Sequence, residues 1–140
     1  MNLRQYLIAA AFACCAPSAV FAEIVVIVHP SNGDALNVEQ VSNLFLGKTT
    51  TFPGGAAATP IELPEGAAVR DEFHSKVTKK DAAQLKAYWA KYTFTGKGMP
   101  PKEKSSEAEI KQFVAGTPGA VGYVQRSSVD GSVKVAVSVP

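Results

Sequence analysis

An unbroken run of β-branched residues, Ile24-Val25-Val26-Ile27-Val28, lacks polar alternation, the pattern of a strand covered on both faces. His29-Pro30-Ser31-Asn32-Gly33-Asp34 breaks it with turn residues. Beyond the turn, Val38, Val41, Leu44 and Phe45 share one face at helical spacing, with Asn37 placed to cap and Gly47 to stop the helix. Pro53-Gly54-Gly55 marks a loop, and Ala58 to Leu63 predicts a second strand. A helix is expected from Glu65 to Val77 on the stripe Val69, Phe73, Val77. Asp81 caps a third helix, whose Leu85, Tyr88, Trp89 and Tyr92 form an aromatic face before Gly96, Gly98, Pro100 and Pro101 end it. Ser106 to Ala115 predicts a short helix, with Ser106 and Glu109 in capping-box spacing and Gly116 closing it. Val121 to Gln125 and Val133 to Val139 are the last strands, read as a hairpin turning at Asp130-Gly131.

Strands alternating with helices predict an α/β sandwich: a mixed, mostly parallel sheet flanked by helices, with one antiparallel strand from the final hairpin. Ligands in such sheets gather at the carboxyl ends of strands. The loops Ser31–Gly33 and Pro64–Ala68 are therefore expected to meet.

The start of the chain changes the picture. Arg4, the apolar run Leu7 to Ala13, and Val20-Phe21-Ala22 with small residues before Glu23 make residues 1–22 a signal peptide. The run is shorter than the roughly 20 residues a spanning helix needs, and Pro17 interrupts the segment. A lipoprotein site at Cys14 fits poorly beside the bulky Phe12. Cleavage after Ala22 removes both cysteines, so no disulfide is expected, and residues 23–140 form one domain in the periplasm. With 14 basic and 12 acidic residues the chain is close to neutral, which argues against a nucleic-acid partner.

Chemistry-bearing motifs are few. Gly-x-Ser-x-Gly is absent, and Gly47-Lys48-Thr49 fails as a phosphate loop because Ser42 stands where the leading glycine belongs. His29 and His74, with Glu72 as a third ligand, lack the close pairing of a zinc site and read as ordinary histidines. The Tyr88-Trp89-Tyr92 face reads as core ahead of a stacking platform for a base or sugar. The basic loop around Lys97, Lys102 and Lys104 reads as solvated surface. Glu62 to Phe73, ELPEGAAVRDEF, carries more. The first-turn N–H groups of a helix starting there are open to an oxyanion, with Arg70 near enough to add a charge. Pairing of Arg70 with Glu65, or with Asp71 or Glu72 of a neighbour, is the alternative.

Three stretches, VSNLFLGKTTTFPGG, LPEGAAVRDEF and TPGAVGYV, in this order, resemble the phosphate-type substrate-binding proteins of ABC transporters, in the type 2 periplasmic binding protein superfamily. Phe45-Leu46-Gly47-Lys48, Ala67-Ala68-Val69 and Pro118-Gly119-Ala120-Val121-Gly122-Tyr123 carry the likeness. The resemblance implies a non-catalytic, exported solute-binding protein for phosphate or another small oxyanion, without cofactor or metal and with a membrane permease as partner. It also implies contacts from Ser31, Asn32, Ala67, Ala68 and Arg70. The chain departs from that pattern in two ways. Residues 23–140 supply only one of the family's two lobes, and Ala67, Val69 and Leu63 replace the family's serine, threonine and arginine. The alternative expectation is a ligand-free interaction module of the cell envelope that keeps the fold, with a homodimer rebuilding the cleft as its variant.

Overall fold

The computed structural model of the chain describes residues 23–139. The expected signal peptide and the cysteines lie outside them. Five strands form one sheet in the order β3-β2-β4-β1-β5. They are β1 (Ile24–Val28), β2 (Thr59–Glu62), β3 (Lys102–Glu103), β4 (Ala120–Gln125) and β5 (Lys134–Val139). The helices are α1 (Val38–Phe45), α2 (Ala68–Lys76), α3 (Ala82–Phe94) and α4 (Glu107–Gly116). β1 lies between β4 and β5, and all its residues are fully buried, as its uninterrupted apolar run requires.

The sheet is mixed, with β2 parallel to β3 and β4, and β1 antiparallel to β4 and β5. The expected closing hairpin is not formed. β1 inserts between β4 and β5, and the segment joining them, through the short 3₁₀ turn Arg126–Ser128, returns along the length of the sheet. The physical reason is burial: β1 has two apolar faces and two edges to satisfy, and the centre of the sheet meets both demands.

Successive side chains of β4 face opposite layers. Tyr123 stacks on Phe73 of α2 with ring centroids 3.9 Å apart, and Phe45 of α1 meets both rings, at 5.0 Å from Phe73 and 5.7 Å from Tyr123. Gly122 points the other way, where a Cβ would stand 2.6 Å from Ile110 of α4 and 3.3 Å from Ile61. Only a glycine lets α4 approach β4 this closely. The sheet is thus sandwiched, with α1 and α2 over one face and α4 over the other.

Caps set the helix boundaries. Asn37 and Asp81 accept from the backbone N–H of Gln40 and Gln84, whose side chains return the bond to the cap N–H. Ser106 caps α4 through Glu109 N–H, but the Glu109 carboxylate accepts from Ser105 instead of Ser106, so the expected box is shifted by one residue. α2 begins later than Glu65, because Gly66 takes φ 93° and Ala67 N–H closes a turn on Pro64 O at 3.1 Å. β3 was not expected within the basic loop.

Gly122→Val will force two methyl groups between β4 and α4. The expected loss is about 1–3 kcal/mol, measured as a lower denaturant midpoint with an unchanged slope.

Candidate functional site

β2 ends in Ile61-Glu62-Leu63, where the side chain of Glu62 is buried although it is a carboxylate. An isolated buried charge is costly, and α2 supplies the compensation. Arg70, His74 and Thr78 recur every fourth residue along one edge of α2 and its C-terminal extension. His74 Nε2 is hydrogen-bonded to Glu62 Oε1, both side chains being almost wholly buried. Thr78 donates its one hydroxyl proton to the His74 carbonyl at 3.1 Å, so it accepts from His74 Nδ1 at 2.9 Å. Nδ1 therefore carries a proton.

Arg70 completes the cluster. Its Nη1 donates to Glu103 Oε1 at 2.8 Å and to the Leu63 carbonyl at 3.0 Å, while Nη2 stands 3.9 Å from Glu62 Oε2. Glu62 and Glu103 are register partners on the parallel strands β2 and β3, so their carboxylates repel and the guanidinium bridges them. Burial works against the Arg70 charge, but Glu62 and Glu103 outweigh it and hold the guanidinium pKa above its ordinary value. The pairing expected from Glu65, Asp71 or Glu72 is not the one made, and Glu72 instead pairs with Lys76 one helical turn on.

The predicted site residues separate into two groups. Ala67, Ala68 and Arg70 lie together where β2 enters α2. Ser31 and Asn32 do not join them, which corrects the expectation that the two loops meet. β1 runs antiparallel to β4 while β2 runs parallel to it, so the carboxyl ends of β1 and β2 project from opposite ends of the sheet. Ser31 is engaged locally, its N–H bonded to His29 Nδ1 at 3.1 Å. Asn32 accepts from Asp34 N–H at 2.9 Å through its side chain and from Lys134 at 3.1 Å through its carbonyl. Ala67 also changes role, because its N–H is already bonded to Pro64 O. The open first-turn donors are those of Ala68, Val69 and Arg70.

Beside this helix start lies a cleft of about 190 Å³ lined by Glu65, Arg70, Lys86, Trp89, Pro100 and Glu103, among others. Sequence reasoning missed Glu62, Glu103 and His74 as members of the cluster. The signal was the i, i+4, i+8 line of Arg70, His74 and Thr78 beside the apolar stripe of α2. Thr78-His74-Glu62 has the connectivity of a nucleophile, base and acid. Its threonine proton is directed to backbone, however, and all three residues are buried. Among the described residues no group of three His, Cys, Asp or Glu side chains could hold a metal.

No protein-family model matches the chain, and no curated protein matches its sequence. Solved structures do match. A protein named as a phosphate ABC transporter substrate-binding protein from Clostridium perfringens, with bound phosphate, aligns at TM-score 0.66 and 24% identity over 84% of this chain and 46% of its own. An ABC-type phosphate transport receptor from Vibrio cholerae aligns at TM-score 0.64 and 19% identity over 81% and 44%. PstS from Borrelia burgdorferi aligns at TM-score 0.55 and 11% identity over 74% and 40%. The chain has the fold of part of these phosphate-type binding proteins and spans about half the length of the first two.

Removing one member of the buried pair leaves the other uncompensated. Glu62→Leu is expected to cost about 3–5 kcal/mol, and Glu62→Leu/His74→Leu to recover a large part of that loss, read from denaturant unfolding as a double-mutant cycle. Alkaline stability follows from Tyr123, whose phenol is pushed up by burial and by Glu62, well above its ordinary 10.0. A raised folded-state pKa contributes stability that is complete below the unfolded pKa and lost as pH climbs above it toward the folded value. Stability will therefore fall from about pH 10 upward, and Tyr123→Phe will remove that component of the slope in unfolding curves taken across the alkaline range.

Proposed function

We propose that the chain is an exported, non-catalytic solute-binding-type protein that takes phosphate or another small oxyanion at the amino end of α2. The observation that carries this reading is a missing cap. Asn37, Asp81 and Ser106 each satisfy their helix start with a side chain, whereas Ala67 gives α2 none. The N–H groups of Ala68, Val69 and Arg70 then look for an acceptor, and an anion gains from the helix dipole as well. Gly66 and the two alanines keep the approach open. Arg70 and Lys86 supply positive charge in the adjoining cleft, and Lys86 makes no ion pair among the described residues.

The same cleft also holds Glu65 and Glu103, and no hydroxyl faces the helix start from Ala67 or Val69. Each missing hydrogen bond to a charged ligand weakens binding by about 1.5–3 kcal/mol, roughly 10- to 100-fold. Modest affinity is therefore expected. The likeness to transport proteins supports a membrane permease as the partner. A second reading, an envelope interaction module that binds no small ligand, is favoured by Arg70, whose guanidinium is committed to Glu62, Glu103 and the Leu63 carbonyl.

Ala67→Asp distinguishes them. A carboxylate at the cap position will occupy the first-turn donors, raising stability by about 0.5–2 kcal/mol and removing the heat of phosphate binding in calorimetric titration. Phosphate affinity that is unchanged in Ala67→Asp contradicts the proposed site. No heat with phosphate or sulfate up to millimolar concentration in the native chain contradicts ligand binding altogether and leaves the interaction module.

A further inference from the structure

We infer that the carboxyl end of α3 and the turn after it dock on an anionic lipid bilayer surface. Phe94 and Met99 enter the apolar layer, and Lys48, Lys91 and Lys97 meet the headgroups. Phe94 is 92% exposed and Met99 81%, and they are the large hydrophobic side chains left exposed among the described residues. They flank the tip that follows α3, on either side of the turn at residues 95–97.

That tip is held in place. Gly96 N–H bonds to Thr93 O at 3.0 Å and Lys97 N–H to Tyr92 O at 3.2 Å. The Tyr88 and Tyr92 hydroxyls donate to the Leu46 and Gly47 carbonyls at 2.6 and 2.8 Å, tying α3 to the end of α1. A fixed tip that keeps a phenylalanine and a methionine in water gains nothing from them in the isolated chain.

Charge selects the partner. Beside the tip a cleft of about 530 Å³ is lined by Lys48, Tyr88, Lys91, Tyr92, Thr95 and Lys97, with no carboxylate. The three lysines come from three segments and form no ion pair among the described residues. α3 itself, AAQLKAYWAKYTF, contains no acidic residue. The net charge of the whole chain is only +2, so this face is positive by segregation and not because the protein is generally basic. Cationic lysines around protruding apolar side chains match a surface with anionic headgroups over hydrocarbon. Protrusion favours a bilayer over a protein, because hydrocarbon accepts a projecting side chain without a pocket shaped for it. None of these residues lines the cleft at α2, so the inference stands or falls separately from the oxyanion site.

The test uses the chain from Glu23, which holds every element and the whole core described above and lacks the apolar leader. Co-sedimentation is measured with phosphatidylcholine vesicles, with and without phosphatidylglycerol, at low and moderate salt. Binding to the anionic vesicles alone is expected, weakening as salt rises. Each lysine near the surface is worth about fivefold, so Lys48→Gln/Lys91→Gln/Lys97→Gln will reduce partition by about a hundredfold. Phe94→Ser/Met99→Ser will reduce it at least tenfold by about the area removed, with an unchanged unfolding midpoint because both side chains are exposed. Equal partition onto neutral and anionic vesicles, absence of binding to either, or full binding by either variant overturns the inference. Light scattering without lipid that shows a dimer dispersed by Phe94→Ser/Met99→Ser overturns it too, and assigns the tip to a second copy.

Discussion

A carboxylate buried at the end of β2 governs the arrangement on one side of the sheet. Glu62 cannot leave the interior, because the strand that carries it lies between β3 and β4. The sequence must therefore bring hydrogen-bonding partners to it. His74 and Arg70 do so from a single edge of α2, and their positions fix how that helix is turned about its axis. Phe73, next to His74, is then directed onto Tyr123. Arg70 reaches one strand further to Glu103, which explains how so short a strand as β3 is retained: its carboxylate is neutralised by the same guanidinium that serves its register partner. The cluster is better understood as specifying this packing than as a source of net stability, since well-packed apolar residues can often replace a buried pair at little cost.

This arrangement also determines what the amino end of α2 can do. The helix is anchored along its length by the ion cluster and the aromatic stack, so its first turn is held firmly without a side-chain cap. Its backbone donors remain open while its one arginine does not. An anion there would be held chiefly by main-chain N–H groups and the helix dipole, with less help from Arg70 than the sequence position suggests.

Much of the fold was legible because the relevant signals are local. The unbroken run of β1 announced burial on both faces, and Asn37, Asp81 and Ser106 marked three helix starts correctly. Strand direction was not legible. Hydrophobic pattern has a period but no polarity, so the sequence did not reveal that β1 runs against β4 and inserts beside β5. Placing Ser31 and Asn32 with Ala68 failed for that reason alone. β3 is only two residues long and carries no periodicity to read. The ion cluster was hidden differently, because Glu62, Arg70, His74 and Glu103 are scattered in sequence and become neighbours only when β2, β3 and α2 assemble. The late start of α2 depended on a turn at Gly66 that the helical stripe does not encode.

The central claim is that the uncapped start of α2 is where this fold receives an anion. Amide-resolved NMR during titration of the chain from Glu23 with inorganic phosphate tests it most directly. The account predicts saturable shifts concentrated on the N–H groups of Ala68, Val69 and Arg70, with Ser31 and Asn32 unmoved at the far end of the sheet. Shifts confined to Lys48, Lys91 and Lys97, or none anywhere, would contradict it.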